Sequence, residues 1–134
     1  MPKEPLPEKL RELVAKPNPA VIATLRADGA PVSVATWYLF ENGRLLVNMD
    51  QSRKRLDHLR GDPRVSLTVL SSDSWYLHVS FQGRVVEIRD DVGLVDIDRL
   101  AKHYTGAAYR IRDSARISAW IEIDHWHGWN IPKD

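Results

Sequence analysis

The chain of 134 residues contains no cysteine, so disulfides, thiolate metal sites and a thiol nucleophile are all excluded. It also lacks a surplus of charge. Nineteen Lys and Arg face eighteen Asp and Glu, a formal net charge of +1. No global field therefore draws the protein to nucleic acid or to a membrane surface. No apolar run is long enough to span a bilayer, and the opening stretch MPKEPLPEKL is polar and charged, unlike a secretory signal. These absences lead to the expectation of a cytoplasmic protein with no membrane or nucleic-acid partner. Several reaction classes go the same way. There is no HExxH or comparable ligand spacing, no GxSxG elbow, no P-loop and no GxGxxG fingerprint. No internal repeat, linker or low-complexity segment divides the chain, so residues 1–134 are read as one domain.

What is present is concentrated between Ala30 and Ser66. Val32, Val34, Thr36, Tyr38 and Phe40 alternate with Ser33, Ala35, Trp37 and Leu39. A period of two in β-branched and aromatic residues predicts one strand with two unlike faces. Glu41-Asn42-Gly43 supplies a turn, because Asn and Gly accept positive φ. Leu45, Val47 and Met49 share one face of the returning strand. Asp50-Gln51-Ser52 is placed to cap a helix that opens with Arg53, Lys54 and Arg55. Cations at a helix N-terminus oppose its partial positive charge. They belong there only if an anion is bound, and the free N–H groups of the first turn suit a phosphate. A break in a local rule of this kind marks a functional site.

The rest of the chain supplies the frame. Leu6, Leu10, Leu13 and Val14 predict a short helix ended by Pro17, and Ala20 to Leu25 a buried strand. Arg26-Ala27-Asp28-Gly29 is a hairpin signal. Gly61-Asp62-Pro63 stops the basic helix, and Val65, Leu67 and Val69 follow as a strand. A long strand is expected from Trp75 through Ile88, with a bulge or a close backbone contact at Gly83. Asp90-Asp91 opens a helix carrying Leu94, Ile97, Ala101 and Tyr104 on one stripe and ending at Thr105-Gly106. Tyr109 to Ala115 is a basic loop, and Ile117, Ala119, Ile121 and Ile123 form one face of a last strand. About six strands with two short helices and hairpin links predict a mainly β fold, a small antiparallel barrel.

The order of these segments resembles the split β-barrel family of flavin and deazaflavin oxidoreductases, the relatives of pyridoxamine 5'-phosphate oxidase. The hairpin from Ala23 to Pro31 is similar to that family's first strand pair. The segment RKRLDHLRGDPRV from Arg53 to Val65 is similar to its phosphate-binding helix, and Gly83-Arg84-Val85 to its strand centre. The tail His127-Gly128-Trp129 resembles the subgroup that uses coenzyme F420. The resemblance implies a six-stranded split barrel of the FMN-binding type and a homodimer with cofactor sites at the interface. It also implies that backbone from Val34 through Ala35 and Thr36 to Trp37 lies along a tricyclic ring. Arg53 and Arg55 hold the phosphate, with Lys54 and Ser52 nearby, and Met49, Gln51 and Trp129 complete the cofactor-binding set. Family members often carry Lys at the position of Arg55 and Asn at that of His58. Arginine keeps the charge and adds a bidentate fork.

The implied activity is hydride transfer between F420 and a small organic acceptor, with FMN as the alternative cofactor and a non-catalytic binding barrel as a second alternative. Arg110, Arg112 and Arg116 are candidate cations for the F420 tail, and Tyr38, His58 or water for a proton donor; no catalytic residue is assigned. The ending WHGWNIPKD does not resemble the C-terminal signature that grips the substrate of true pyridoxamine-phosphate oxidases, so that activity is set aside. His125 and His127 point to one face of a strand without a third ligand, so no metal is assigned. Tyr76, Phe81 and Arg84 on one strand mimic an RNA-binding sheet, but the charge balance and the missing RNP motifs argue against it.

Overall fold

The computed structural model describes residues 6–131. Its elements are α1 (Glu8–Val14), β1 (Ala20–Leu25), β2 (Pro31–Thr36), β3 (Leu39–Glu41), β4 (Arg44–Asp50), α2 (Lys54–Gly61), β5 (Arg64–Leu70), β6 (His78–Asp90), α3 (Val95–Thr105) and β7 (Arg116–Trp129). The strands form one antiparallel sheet in the order β2-β1-β5-β6-β7-β4-β3. No helix among the described residues is long and apolar enough to cross a membrane.

Burial follows the alternation in the sequence. Ile22 of β1, Leu67 of β5 and Phe81 of β6 are paired neighbours on one face and all are buried. Leu45, Val47 and Met49 join the same core, and so do Ile117, Ala119, Ile121 and Ile123 of β7. β4 is more enclosed than its alternation implies, since Leu46 and Asn48 on its other face are buried as well. Helix α1 closes the core with Leu10, Leu13 and Val14. The hairpin turns are where the sequence puts them, with Asn42 and Gly43 both at positive φ between β3 and β4.

Three expectations are corrected. The run from Val32 to Phe40 is two strands, which raises the count from six to seven. β2 and β3 lie at opposite ends of the sheet order and are joined only by Trp37 and Tyr38. A link of that length spans at most about 10 Å. The two edges must therefore approach each other at this end, so the sheet curls around the core and leaves an open seam. Periodicity misses the break because Tyr38 keeps the alternation while leaving the ladder. Its ring is fully buried, and its hydroxyl donates to the Val14 carbonyl at 2.7 Å and accepts from Asn18 Nδ2 at 3.1 Å.

The long strand begins at His78, not at Trp75. Trp75 and Tyr76 lie in the preceding turn, stacked on each other and exposed. The turn is closed by the Leu77 N–H donating to the Ser74 carbonyl and by the ring of His78 bonded to the Trp75 carbonyl. Phe81 is buried while Tyr76 is exposed, so the two share no RNA-facing surface.

The third correction concerns α2. Its N-cap is Arg53, and no side chain caps it. Asp50 instead accepts from the N–H and the hydroxyl of Ser52, at 2.9 and 2.7 Å, and so closes its own turn.

Gly83 sits at a register shift between β6 and β7, and a Cβ there would overlap the Glu122 carbonyl. Main chain cannot step aside. Gly83→Ala is expected to cost roughly 2 kcal/mol or more, read as a lowered midpoint in thermal unfolding.

Candidate functional site

Where β4 ends and α2 begins, the chain places three cations in sequence beside the open seam. A cleft of about 740 Å³ lies there, bounded by Val32, Val34 and Ala35 on one side and Met49 and Asp50 on the other. Ser52, Arg53, Lys54 and Arg55 close its end. Arg53 and Lys54 are exposed and Arg55 is half-buried. The Nε and one terminal nitrogen of Arg55 are buried without a hydrogen-bond partner. Burial, and then the neighbouring charges of Arg53 and Arg116, lower its pKa. A desolvated guanidinium beside two others is unfavourable in the folded protein unless an anion enters. The uncapped first turn of α2 adds free N–H groups at the same place.

Asp50 is the carboxylate that lines this cleft, and it is already committed. It accepts hydrogen bonds from Ser114 and Ser52, in that order of effect, and these hold its carboxyl well below the usual range. A lowered folded-state pKa gives a contribution that is present above the ordinary carboxylate range and lost as the pH falls below it. Asp50 therefore tethers the 109–115 loop to β4 throughout the neutral range. Thr24 and His58 face the same cleft and bond each other at 3.0 Å.

A second cleft of about 680 Å³ shares Ala35, Tyr109 and Arg116 with the first as walls. Its character is aromatic. Trp37 stacks on Tyr104 with centroids 5.3 Å apart and meets the edge of Tyr109 at 6.2 Å. Tyr104 is fixed by donating its hydroxyl to the Asn18 carbonyl at 2.7 Å, and burial pushes its pKa up to about 12. The two clefts make one groove along β2, cationic at one end and aromatic at the other.

Most of the expected cofactor set meets here. Val34, Ala35, Met49, Ser52, Arg53, Lys54 and Arg55 line the first cleft, and Ala35, Thr36 and Trp37 the second. Gln51 lies in the turn beside the groove, with its N–H donating to the Ala115 carbonyl at 3.1 Å, and lines neither cleft. Trp129 is not brought to this groove. It lies opposite His78 at one end of β7, whereas Arg116 at the other end lines the groove. The two are the first and last residues of a 14-residue strand, about 40 Å of contour apart.

Of the candidate tail cations, Arg112 is engaged by Asp98 at 2.9 and 3.1 Å, and Arg110 has no partner among the described residues. Tyr38 is removed as a proton donor, because burial raises its pKa well above the ordinary tyrosine value and its hydroxyl is committed inside the core. His125 and His127 are exposed opposite Gln82 and Ser80. Among the described residues, no group of three His, Cys, Asp or Glu is placed to hold a metal. Tyr109, Ser114 and Asn48 were not singled out from sequence. Only Asn48 left a signal there, as a polar residue inside an apolar run.

The chain matches the pyridoxamine 5'-phosphate oxidase family over residues 6–130. It belongs to that family. Among solved structures it is similar to a protein named F420 reductase, with a TM-score of 0.84 and 22% identity over 91% of this chain and 98% of that one. It is similar also to a conserved hypothetical protein from Mycobacterium tuberculosis, at a TM-score of 0.75 and 21% identity over 96% of this chain and 89% of that one. A third is General Stress Protein 26 from Bacillus anthracis str. Sterne, at 0.71 and 20% over 93% and 94%. These likenesses show that the chain shares the fold of those proteins.

For this pyridoxamine 5'-phosphate oxidase family member, two substitutions separate frame from site. Arg55→Met removes a desolvated cation and is expected to raise the thermal midpoint by several degrees, about 1 kcal/mol of stability. Tyr38→Phe strands the Val14 carbonyl and the Asn18 amide and is expected to lower stability by about 1–3 kcal/mol, with ligand affinity in the groove unchanged when measured below the transition.

Proposed function

We propose that the protein is an F420-dependent oxidoreductase that transfers a hydride between the deazaflavin and a small organic acceptor. The observation that carries this reading is Arg55, whose buried nitrogens lack partners at the head of an uncapped helix, within a cluster of cations. The residues fit a phosphate joined to a flat ring. Arg53 and Arg55 hold the phosphate, with Lys54, Ser52 and the α2 N-terminus beside them. Backbone from Val34 to Trp37 orients the ring, and Met49 packs beneath the first cleft.

Once bound, the deazaflavin supplies the hydride chemistry. The protein contributes position, a sheltered apolar wall of Trp37 and Tyr104, and fixed charge. Arg53, Lys54 and Arg110 are exposed cations available to a tail carrying carboxylates. FMN shares the ring, ribityl chain and phosphate, and it is the second reading.

The protein acts as a homodimer in this reading, with the sites at the interface. Among the described residues β2 pairs only with β1, yet it exposes Val32 and Val34 at 39% and 48%. An edge strand with exposed apolar side chains suits a second copy.

Tryptophan fluorescence titrations of the protein with F420 and with FMN test the assignment. Tight F420 binding with weak FMN binding is the expected outcome. The reverse would move the protein to the FMN reading, and binding of neither would remove both. Replacing Arg53 and Arg55 together by Ala is expected to weaken binding roughly a hundredfold with the fold intact by circular dichroism. An unchanged affinity would remove the phosphate assignment.

A further inference from the structure

Arg116 stands where the cationic and aromatic halves of the groove meet, and it is built in from several sides. Its Nε donates to Asn48 Oδ1 at 2.7 Å. Asn48 is only 6% exposed, and its amide nitrogen donates to Asp91 Oδ2 at 3.1 Å and to Ser118 Oγ at 3.0 Å. Asp91 is itself fixed by the N–H groups of Asp96 and Ile97 at the start of α3, at 2.8 and 2.9 Å. Ser118 donates to Asp96 Oδ2 at 2.7 Å. The guanidinium also lies over the ring of Tyr109, 4.8 Å from its centroid. A buried polar network that spans β4, β7 and α3 holds this one side chain still.

The network leaves the outer edge of the guanidinium unused. One terminal nitrogen has only a long approach of 3.5 Å to the Tyr109 hydroxyl. No carboxylate accepts from Arg116 among the described residues, because Asp50 is spent on Ser52 and Ser114. Arg116 lines both clefts, with Ala35 as a shared wall.

We propose that Arg116 binds the polar, pyrimidine edge of the cofactor's tricyclic ring and is a positioning and charge-holding residue distinct from the phosphate cluster. This rests on the cofactor reading above. Arg116 lies near enough to Arg55 for their charges to interact, yet it also lines the aromatic cleft with Ala35, Thr36 and Trp37, so a ring along Val34 to Trp37 passes its free edge. The ring's pyrimidine edge carries carbonyl acceptors and takes up negative charge on reduction. A guanidinium already held in place meets that charge without reorganisation.

The test compares ligands that share a ring and differ in the phosphate or in the tail it carries: FMN against riboflavin, and F420 against the same deazaflavin chromophore without its phosphate-linked tail. Arg116→Gln is expected to weaken both members of a pair by the same factor, roughly tenfold, leaving their ratio unchanged. Arg55→Ala is expected to reduce the ratio by weakening only the phosphate-bearing member. The potential of bound FMN should also fall in Arg116→Gln, by about 30 mV for each tenfold loss of preference for the reduced ring. Arg116→Lys keeps the charge and should hold the potential near that of the parent protein, which separates charge from a general loss of packing.

A larger loss for FMN than for riboflavin in Arg116→Gln would make Arg116 a phosphate ligand and overturn the proposal. So would unchanged affinities with an unchanged potential. An unchanged ratio in Arg55→Ala would instead remove the phosphate assignment, independently of Arg116. Failure of the parent protein to bind any of the four would remove the cofactor reading and this proposal together.

Discussion

The short link through Trp37 and Tyr38 sets the shape of the whole sheet. It joins the two edge strands of a seven-stranded sheet. Two residues cannot bridge a flat sheet of that width, so the sheet has to bend round until its edges meet at one end. Tyr38 anchors the bend by burying its ring and bonding α1 through Val14. Trp37 goes the other way, into the seam, where Tyr104 stacks on it. One residue of the link thus closes the core and the next furnishes the groove.

The groove shows a trade between stability and binding. Arg55 is held in a position that is unfavourable for a cation, with buried nitrogens unpaired and two other arginines nearby. Structural ion pairs elsewhere in the chain look different. Arg112 is matched by Asp98, Arg84 by Glu122 and Asp124, and Arg99 by Glu41 and Asp96. The fold can satisfy its arginines, and at the head of α2 it does not. Exposed cations such as Arg110 are solvated by water, but a guanidinium with buried nitrogens and no partner is the physical signature of an anion site.

The second feature of the groove is division of labour among polar groups. Asp50 serves the loop, Asn48 serves Arg116, and Asp91 serves both Asn48 and the start of α3. Asp50, the acid that lines the groove, is therefore used up in structure, so the field along the groove stays positive although the chain is close to neutral. Local field, rather than net charge, selects the ligand.

Residue order is enough to read the strands with two unlike faces, the turns at Asn42-Gly43 and Gly29, the stop at Gly61-Asp62-Pro63, the close contact at Gly83 and the cation cluster at Arg53 to Arg55. All of these are local. Periodicity, turn chemistry and a charge set against a helix end can be read within a few residues. The three-dimensional fold was needed to show that the run from Val32 to Phe40 is two strands, because alternation persists through a crossover and says nothing of which neighbour a strand pairs with. It alone separated Trp129 from the groove, since the length of β7 matters only once its ends are placed. It alone brought Asn48, Asp91 and Ser118 together behind Arg116. Those residues are far apart in the chain, and each looks ordinary until the sheet curls and burial joins them in one hydrogen-bonded network.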